Sequence, residues 1–271
     1  MRPAGHLPRR CSAVTVAALL AFWNLGTGVA QADPNTLWRI VHEQCVPDEQ
    51  QNRDPAPCAR VDLSSGEDGG FVVLKDIQGA RQYLLIPTAR ITGIESPALL
   101  APGETNYFAA AWQSRSFLEE RAGGTLPRDW VSLAVNSSVS RSQDQLHIHV
   151  DCLRADVHET LSTHAAEIGS TWAPFPIPLA GHTYSAVAVT GADLAGVNPF
   201  TLLADGLEGA RADMGLQTLV VVGATGTDGQ PGFVILADRA DGETGDFAGG
   251  EQLQDHDSCP PPLPPTGSTA K

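Results

Sequence analysis

Residues 145–152 read Gln-Leu-His-Ile-His-Val-Asp-Cys, and no other stretch constrains the fold as tightly. Gln145, His147, His149 and Asp151 alternate with Leu146, Ile148, Val150 and Cys152. That is the two-residue period of a β-strand, which sends successive side chains to opposite faces. The apolar set can enter a core. The polar set lines up two imidazoles, a costly way to fill a core and a good way to handle phosphate. A neutral imidazole attacks phosphorus without charge repulsion and forms a phosphoramidate that water can cleave. The same face also suits a metal, because His147, His149 and Asp151 offer three ligands.

The flanking sequence predicts an α+β fold with an antiparallel sheet. A helix is expected over 34–45, capped by Asp33 or Asn35, with Leu37, Ile40, Val41 and Cys45 on one face. Residues 71–75 and 82–86 read as a hairpin across Ile77–Ala80. A helix over 104–121, ended by Gly123-Gly124, would bury Phe108, Ala111, Trp112 and Leu118; Trp38 is also expected in the core. Strands follow at 131–135 and 146–153. The second half holds helices at 155–168 and 199–214 and strands at 183–189, 218–222 and 233–236. The chain thus divides into a catalytic half, 33–154, and a second half, 155–259, packed on it. Gly70–Asp76 is echoed by Gly232–Asp238. One reading is a degenerate two-copy repeat forming an intrachain pseudo-dimer; the other is a pair of unrelated buried strands. Residues 260–271 are Pro-rich and expected to be a disordered tail.

Arg2, Arg9 and Arg10 precede an apolar run from Ala13 to Trp23, and Ala30-Gln31-Ala32 has the form of a cleavage site. Residues 1–32 therefore read as a secretory signal peptide. The run is short against the ~20 residues that span a bilayer, but extended through Val29 it would serve as an uncleaved anchor. Export puts Cys45, Cys58, Cys152 and Cys259 in an oxidising compartment, where four cysteines allow three pairings. We expect Cys45–Cys58, close in sequence, and Cys152–Cys259, tying the histidine strand to the chain's end. No C-x-x-C spacing favours zinc. The chain carries a net −14, and residues 1–32 hold three arginines and no acids, leaving −17 beyond them. That excludes nucleic acid as a partner and argues against loose electrostatic attachment to anionic lipid. A site for diphosphate must then be locally positive, with Arg90, Arg141, Arg154 and the histidines as candidates.

The 145–149 run resembles the histidine-triad signature, His-x-His-x-His with apolar x, of a superfamily of nucleotide hydrolases and nucleotidyl transferases. Gln145 departs from it at the first place; His147 takes the middle and His149 the last. Gln82–Pro87 with Arg90-Ile91 resembles the substrate-site strand of that superfamily. Asn136 and Ser142 match its phosphate-contacting positions. Leu37–Val41, Pro55–Cys58, Ile94–Pro97 and Leu253–His256 are similar to one branch, the bacterial CDP-diacylglycerol pyrophosphatases, and the likeness extends over residues 35–259. It implies a histidine-triad-like sheet in which His147 attacks the cytidine-bearing phosphorus and CMP is released from it by water. His149 and Gln145 would supply donors, with Gln145 positioning because it has no titratable proton. Asn136, Ser142, Gln82 and Arg141 would bind substrate. The implied chemistry needs no cofactor or metal. The implied partner is the lipid-linked nucleotide itself, at the outer face of the cytoplasmic membrane, with no nucleic acid and no protein partner evident. Hydrolysis of other nucleotide diphosphates, or an exported metal-binding module on His147, His149 and Asp151, are the alternatives. His182 and His256 read as structural.

Overall fold

The computed structural model describes Met1 and residues 33–264; the expected leader and residues 265–271 of the tail lie outside the described residues. In chain order the elements are α1 (Thr36–Arg39), a π-helical turn (Ile40–Cys45), α2 (Val46–Asn52), β1 (Arg60–Asp62), β2 (Phe71–Lys75) and β3 (Tyr83–Pro87). Then come α3 (Tyr107–Ala122), β4 (Val131–Val135), β5 (Ile148–Leu153), α4 (Ala155–Thr163) and β6 (Ala173–Pro174). The chain closes with β7 (Ser185–Thr190), α5 (Pro199–Gly206), β8 (Gln217–Thr225), β9 (Pro231–Arg239) and β10 (Gln254–Asp255).

Several boundaries moved for local reasons. The first helix runs seven residues past its expected end, through Pro47. Proline lacks the N–H that would reach the carbonyl four residues back, and the wide π turn lies directly before it. The α3 helix starts at Tyr107 because Asn106 is its cap, its side chain accepting from the Ala109 N–H at 3.1 Å. Gly123 ends it with φ +91°, a left-handed position that favours glycine. The helix expected to reach residue 214 stops at Gly206 and continues only as short 3-10 turns. Trp38 is not core: it lies half-exposed, stacked on His42 with ring centroids 4.7 Å apart.

All the strands join one antiparallel sheet in the order β1-β2-β3-β5-β4-β8-β9-β7-β6, with β10 pairing β5. The expected halves are not separate bodies; Ala32–Lys271 is one unit, and β4 pairs β8 across their seam, Ser132 to Val222 through Val135 to Leu219. Away from that seam the two sides have matching orders. Strand, helix, strand, strand is β3-α3-β4-β5 on one side and β7-α5-β8-β9 on the other. The echo of Gly70–Asp76 in Gly232–Asp238 falls instead on β2 and β9, which stand at different places from the seam.

One face of the sheet is fully covered. Ile148, Val150, Leu133 and Phe233 pack there against Phe108 and Trp112 of α3 and Phe200 of α5. The other face is covered in two patches. Leu37, Val41 and Val46 cover Val72, Leu74, Leu84 and Ile86 of β2 and β3. Val157, Leu161, Phe175 and Tyr184 cover Val220, Val222, Val234 and Leu236 of β8 and β9. Between the patches lies β5. Directly opposed residues in a sheet share a face, so His149, opposite Leu84 and Ala134, belongs to this second face, at the gap.

Both expected disulfides are present, Cys45–Cys58 and Cys152–Cys259. The Pro-rich segment is not free from its start: the Leu263 N–H donates to the Thr125 carbonyl at 2.7 Å.

Candidate active site

The gap over β5 is a pocket of about 820 Å³. Its floor is His147 and His149; its walls come from the α1 region, the β2–β3 turn, the β4–β5 loop and the segment around β10. Its lining is mixed: Leu37, Ile40, Leu74, Ile77 and Leu84 are apolar, and Asn136, Ser140, Ser142, Glu251 and His256 are among the polar residues.

His147 is 8% exposed, and its Nδ1 lies 2.7 Å from the Gln145 carbonyl. A carbonyl only accepts, so Nδ1 carries the proton and the neutral ring keeps its lone pair on Nε2. Burial pushes the His147 pKa below the usual histidine value, against the pull of the Gln145 carbonyl. The His149 ring is 4.9 Å away, centroid to centroid. Burial, and then His147, hold its pKa well below the ordinary value. Its Nδ1 meets the Gln82 amide at 2.5 Å and Glu251 Oε2 at 3.2 Å, while its Nε2 is buried without a partner.

The expected site residues divide. His147, His149, Gln82, Asn136 and Ser142 all line the pocket. Gln145 does not offer its amide to a substrate: its Nε2 donates to the carbonyls of Pro87 at 3.0 Å and Ala89 at 2.9 Å. It works through its backbone, holding His147, and through its side chain, holding the end of β3. Arg141 is not a free cation. It is paired with both carboxylate oxygens of Glu95, at 2.6 and 2.8 Å, and with Asp144 at 3.2 Å, and it borders a small crevice behind His147 rather than the pocket. Arg90 is spent on Asn35 and on the face of Trp38. Of the three expected arginines only Arg154 lines the pocket.

Three pocket residues went unassigned in the sequence. Lys75, at the end of β2, donates to the carbonyls of Asp76 and Gly79 at 2.7 and 3.0 Å and adds a cation. Burial, and then Arg121, lower its pKa. Glu251 reaches His149, and its N–H donates to Asn136 Oδ1 at 3.2 Å. His256 was read as structural, yet it borders the pocket, and its Nδ1 lies 2.9 Å from Asp151 Oδ2. Only the Leu253–His256 block hinted at this: its Gln254 donates to Ser132 Oγ at 3.0 Å and to the His149 carbonyl at 3.2 Å, stitching β10 under the site. Asp151, the third ligand that a metal on this strand would need, is taken by His256 and by the Cys152 N–H. His182 pairs with Asp246 at 2.6 Å.

Residues 32–260 match the model of a family described as CDP-diacylglycerol pyrophosphatase. A protein of that name from Yersinia pestis is 43% identical over 225 residues, 83% of this chain and 84% of the relative. The match takes in the imidazole floor, the β2–β3 turn and the β10 wall together, and on it this chain belongs to the CDP-diacylglycerol pyrophosphatase family.

Proposed function

We propose that the pocket hydrolyses CDP-diacylglycerol to CMP and phosphatidate through a cytidylyl-histidine intermediate on His147. The observation that carries this is the tautomer. The Gln145 carbonyl fixes the proton on Nδ1, which leaves Nε2 as a buried, uncharged nucleophile. Nε2 attacks the cytidine-bearing phosphorus, phosphatidate departs, and water then frees CMP. His149 Nε2, unpartnered at the pocket floor, donates to a phosphoryl oxygen, and Asn136 and Ser142 add donors where charge builds. Gln145 is a positioning residue. Arg141 braces the β4–β5 loop that carries Ser142 and does not bind phosphate.

The apolar lining supports the lipid-linked substrate over soluble nucleotides. Edges of the Leu37, Leu74 and Leu84 cluster and the half-buried Ile40 line the pocket, and Ile77, 97% exposed on the β2–β3 turn, adds a free apolar side chain for the diacylglycerol end. The two disulfides fit export, and the acyl chains would enter from a membrane surface. The matching β3-α3-β4-β5 and β7-α5-β8-β9 orders support a histidine-triad-like origin in which one chain supplies both halves of a pseudo-dimer. On the second side the corresponding face carries Val234 and Leu236, packed into core. Only the first side is then catalytic.

Trapping tests the reading. Protein mixed briefly with CDP-diacylglycerol labelled in the cytidylyl phosphate, then denatured at alkaline pH, should retain label, and His147→Ala should retain none while staying folded. Full turnover by His147→Ala would end the proposal.

A further inference from the structure

His256 is placed to do more than hold the chain's end. It is anchored through Nδ1 to Asp151, which is 0% exposed and sits on the same strand face as His147 and His149. Its side chain keeps 31% exposure on the pocket side. A buried carboxylate that fixes one ring nitrogen and leaves the other facing a pocket is the usual way to orient a proton-transferring imidazole. Nothing in the His147 chemistry uses this pair. Yet both halves of the reaction move a proton: one to the departing phosphatidate, one from the attacking water.

We propose that His256, oriented by Asp151, is the general acid and base of this site. The proposal rests on His147 being the nucleophile. In the first step His147 Nε2 bonds to the cytidine-bearing phosphorus and the bridging P–O bond breaks. Its electron pair goes to the phosphatidate oxygen, which takes the proton from His256 Nε2. In the second, neutral His256 accepts a proton from water as its oxygen bonds to phosphorus. The P–N pair returns to His147, and His256 is again protonated. The groups facing His256 are Asp151 from β5, Glu251 from the turn before β10, Asp76 from the β2–β3 turn, Asp255 beside it and His149. The hydrogen bond that Asp151 accepts leads in raising the His256 pKa above the ordinary histidine value, the direction that favours the proton the first step requires.

His256→Gln and Asp151→Asn test this on the full chain. For His256→Gln we expect turnover to fall about 10²-fold or more. Formation and breakdown of the labelled adduct on His147 should both slow in single-turnover measurements, because neither the leaving oxygen nor the water exchanges its proton with the ring, and the alkaline limb of the pH–rate profile should disappear. Asp151→Asn keeps the histidine and the side-chain shape but removes the charge and leaves one acceptor oxygen where two are used, by His256 and by the Cys152 N–H, so its alkaline limb should move to lower pH. The proposal is overturned if His256→Gln turns over normally with its alkaline limb in place, or if it loses turnover while adduct forms and breaks down at unchanged rates. It is equally overturned if Asp151→Asn folds and leaves the limb where it was. Failure of the nucleophile reading looks different: no adduct on the unaltered protein and an active His147→Ala.

Discussion

At the scale of single residues, two glutamines and two histidines share the floor's work unequally. Gln145 spends both amide hydrogens on main-chain carbonyls, so replacing it by Leu strands a buried acceptor at Pro87 and a part-buried one at Ala89. An unpaired buried acceptor costs about 1–3 kcal/mol. Gln145→Leu should therefore lower the unfolding free energy by roughly 2 kcal/mol or more, measured by urea melts. Its carbonyl still holds His147, so the adduct should still form. His147 also sets the acid side of the pH profile. Its pKa is depressed in the folded protein, so the neutral nucleophile persists below the free-histidine value of about 6.5. The acid limb of the rate should fall below that value in steady-state assays across pH. The same sign applies to stability. The unfolded chain binds protons at His147 and His149 more readily than the folded one, so stability is lost as pH drops through and below about 6.5.

At the scale of elements, the strands were legible because alternation states both period and facing. Ile148 and Val150 went to the covered face and His147 and His149 to the open one, as the pattern requires. Element ends decided by one local bond were not legible: Asn106 capping α3 and the π turn before Pro47 needed coordinates. Nor was β10. It pairs β5 through only Gln254 with Leu153 and Asp255 with Cys152, and its partner lies 105 residues away from His256, beyond any local signal. So short a strand depends on its ties. The Cys152–Cys259 bridge closes a separation of 107 residues, for which loop entropy alone gives about 4–5 kcal/mol. Cys259→Ser with Cys152→Ser should lower stability by that order and reduce turnover by loosening His256, whereas the Cys45–Cys58 bridge, separated by 13, should matter less to turnover. Gly79 is the second tie. It holds φ +65°, and a Cβ there would lie 2.6 Å from His256 Cβ and run into the His256 carbonyl. Gly79→Ala should therefore reduce kcat with little change in KM, read in the same assay.

At the scale of the whole molecule, charge and shape pull apart. A chain at −14 gains nothing from charge at an anionic lipid surface. No helix among the described residues is long and apolar enough to cross a membrane. On the proposed reading, apolar contact in the pocket supplies the preference for lipid. Among the apolar residues that line the pocket Ile77 is the one that stands out fully, 97% exposed on the β2–β3 turn. Burying one such side chain against an acyl chain is worth about 1.5–3 kcal/mol, and each 1.4 kcal/mol is about tenfold in affinity. Ile77→Asp should thus cut the preference for CDP-diacylglycerol over a CDP-alcohol lacking acyl chains by roughly tenfold or more. The loss should appear in KM and not in kcat, since Ile77 would meet the acyl chains and not the reacting phosphorus. The two substrates compared in one mixed-micelle assay give the ratio directly. An unchanged ratio would move lipid recognition off this lining and leave the pocket to read only the cytidine diphosphate.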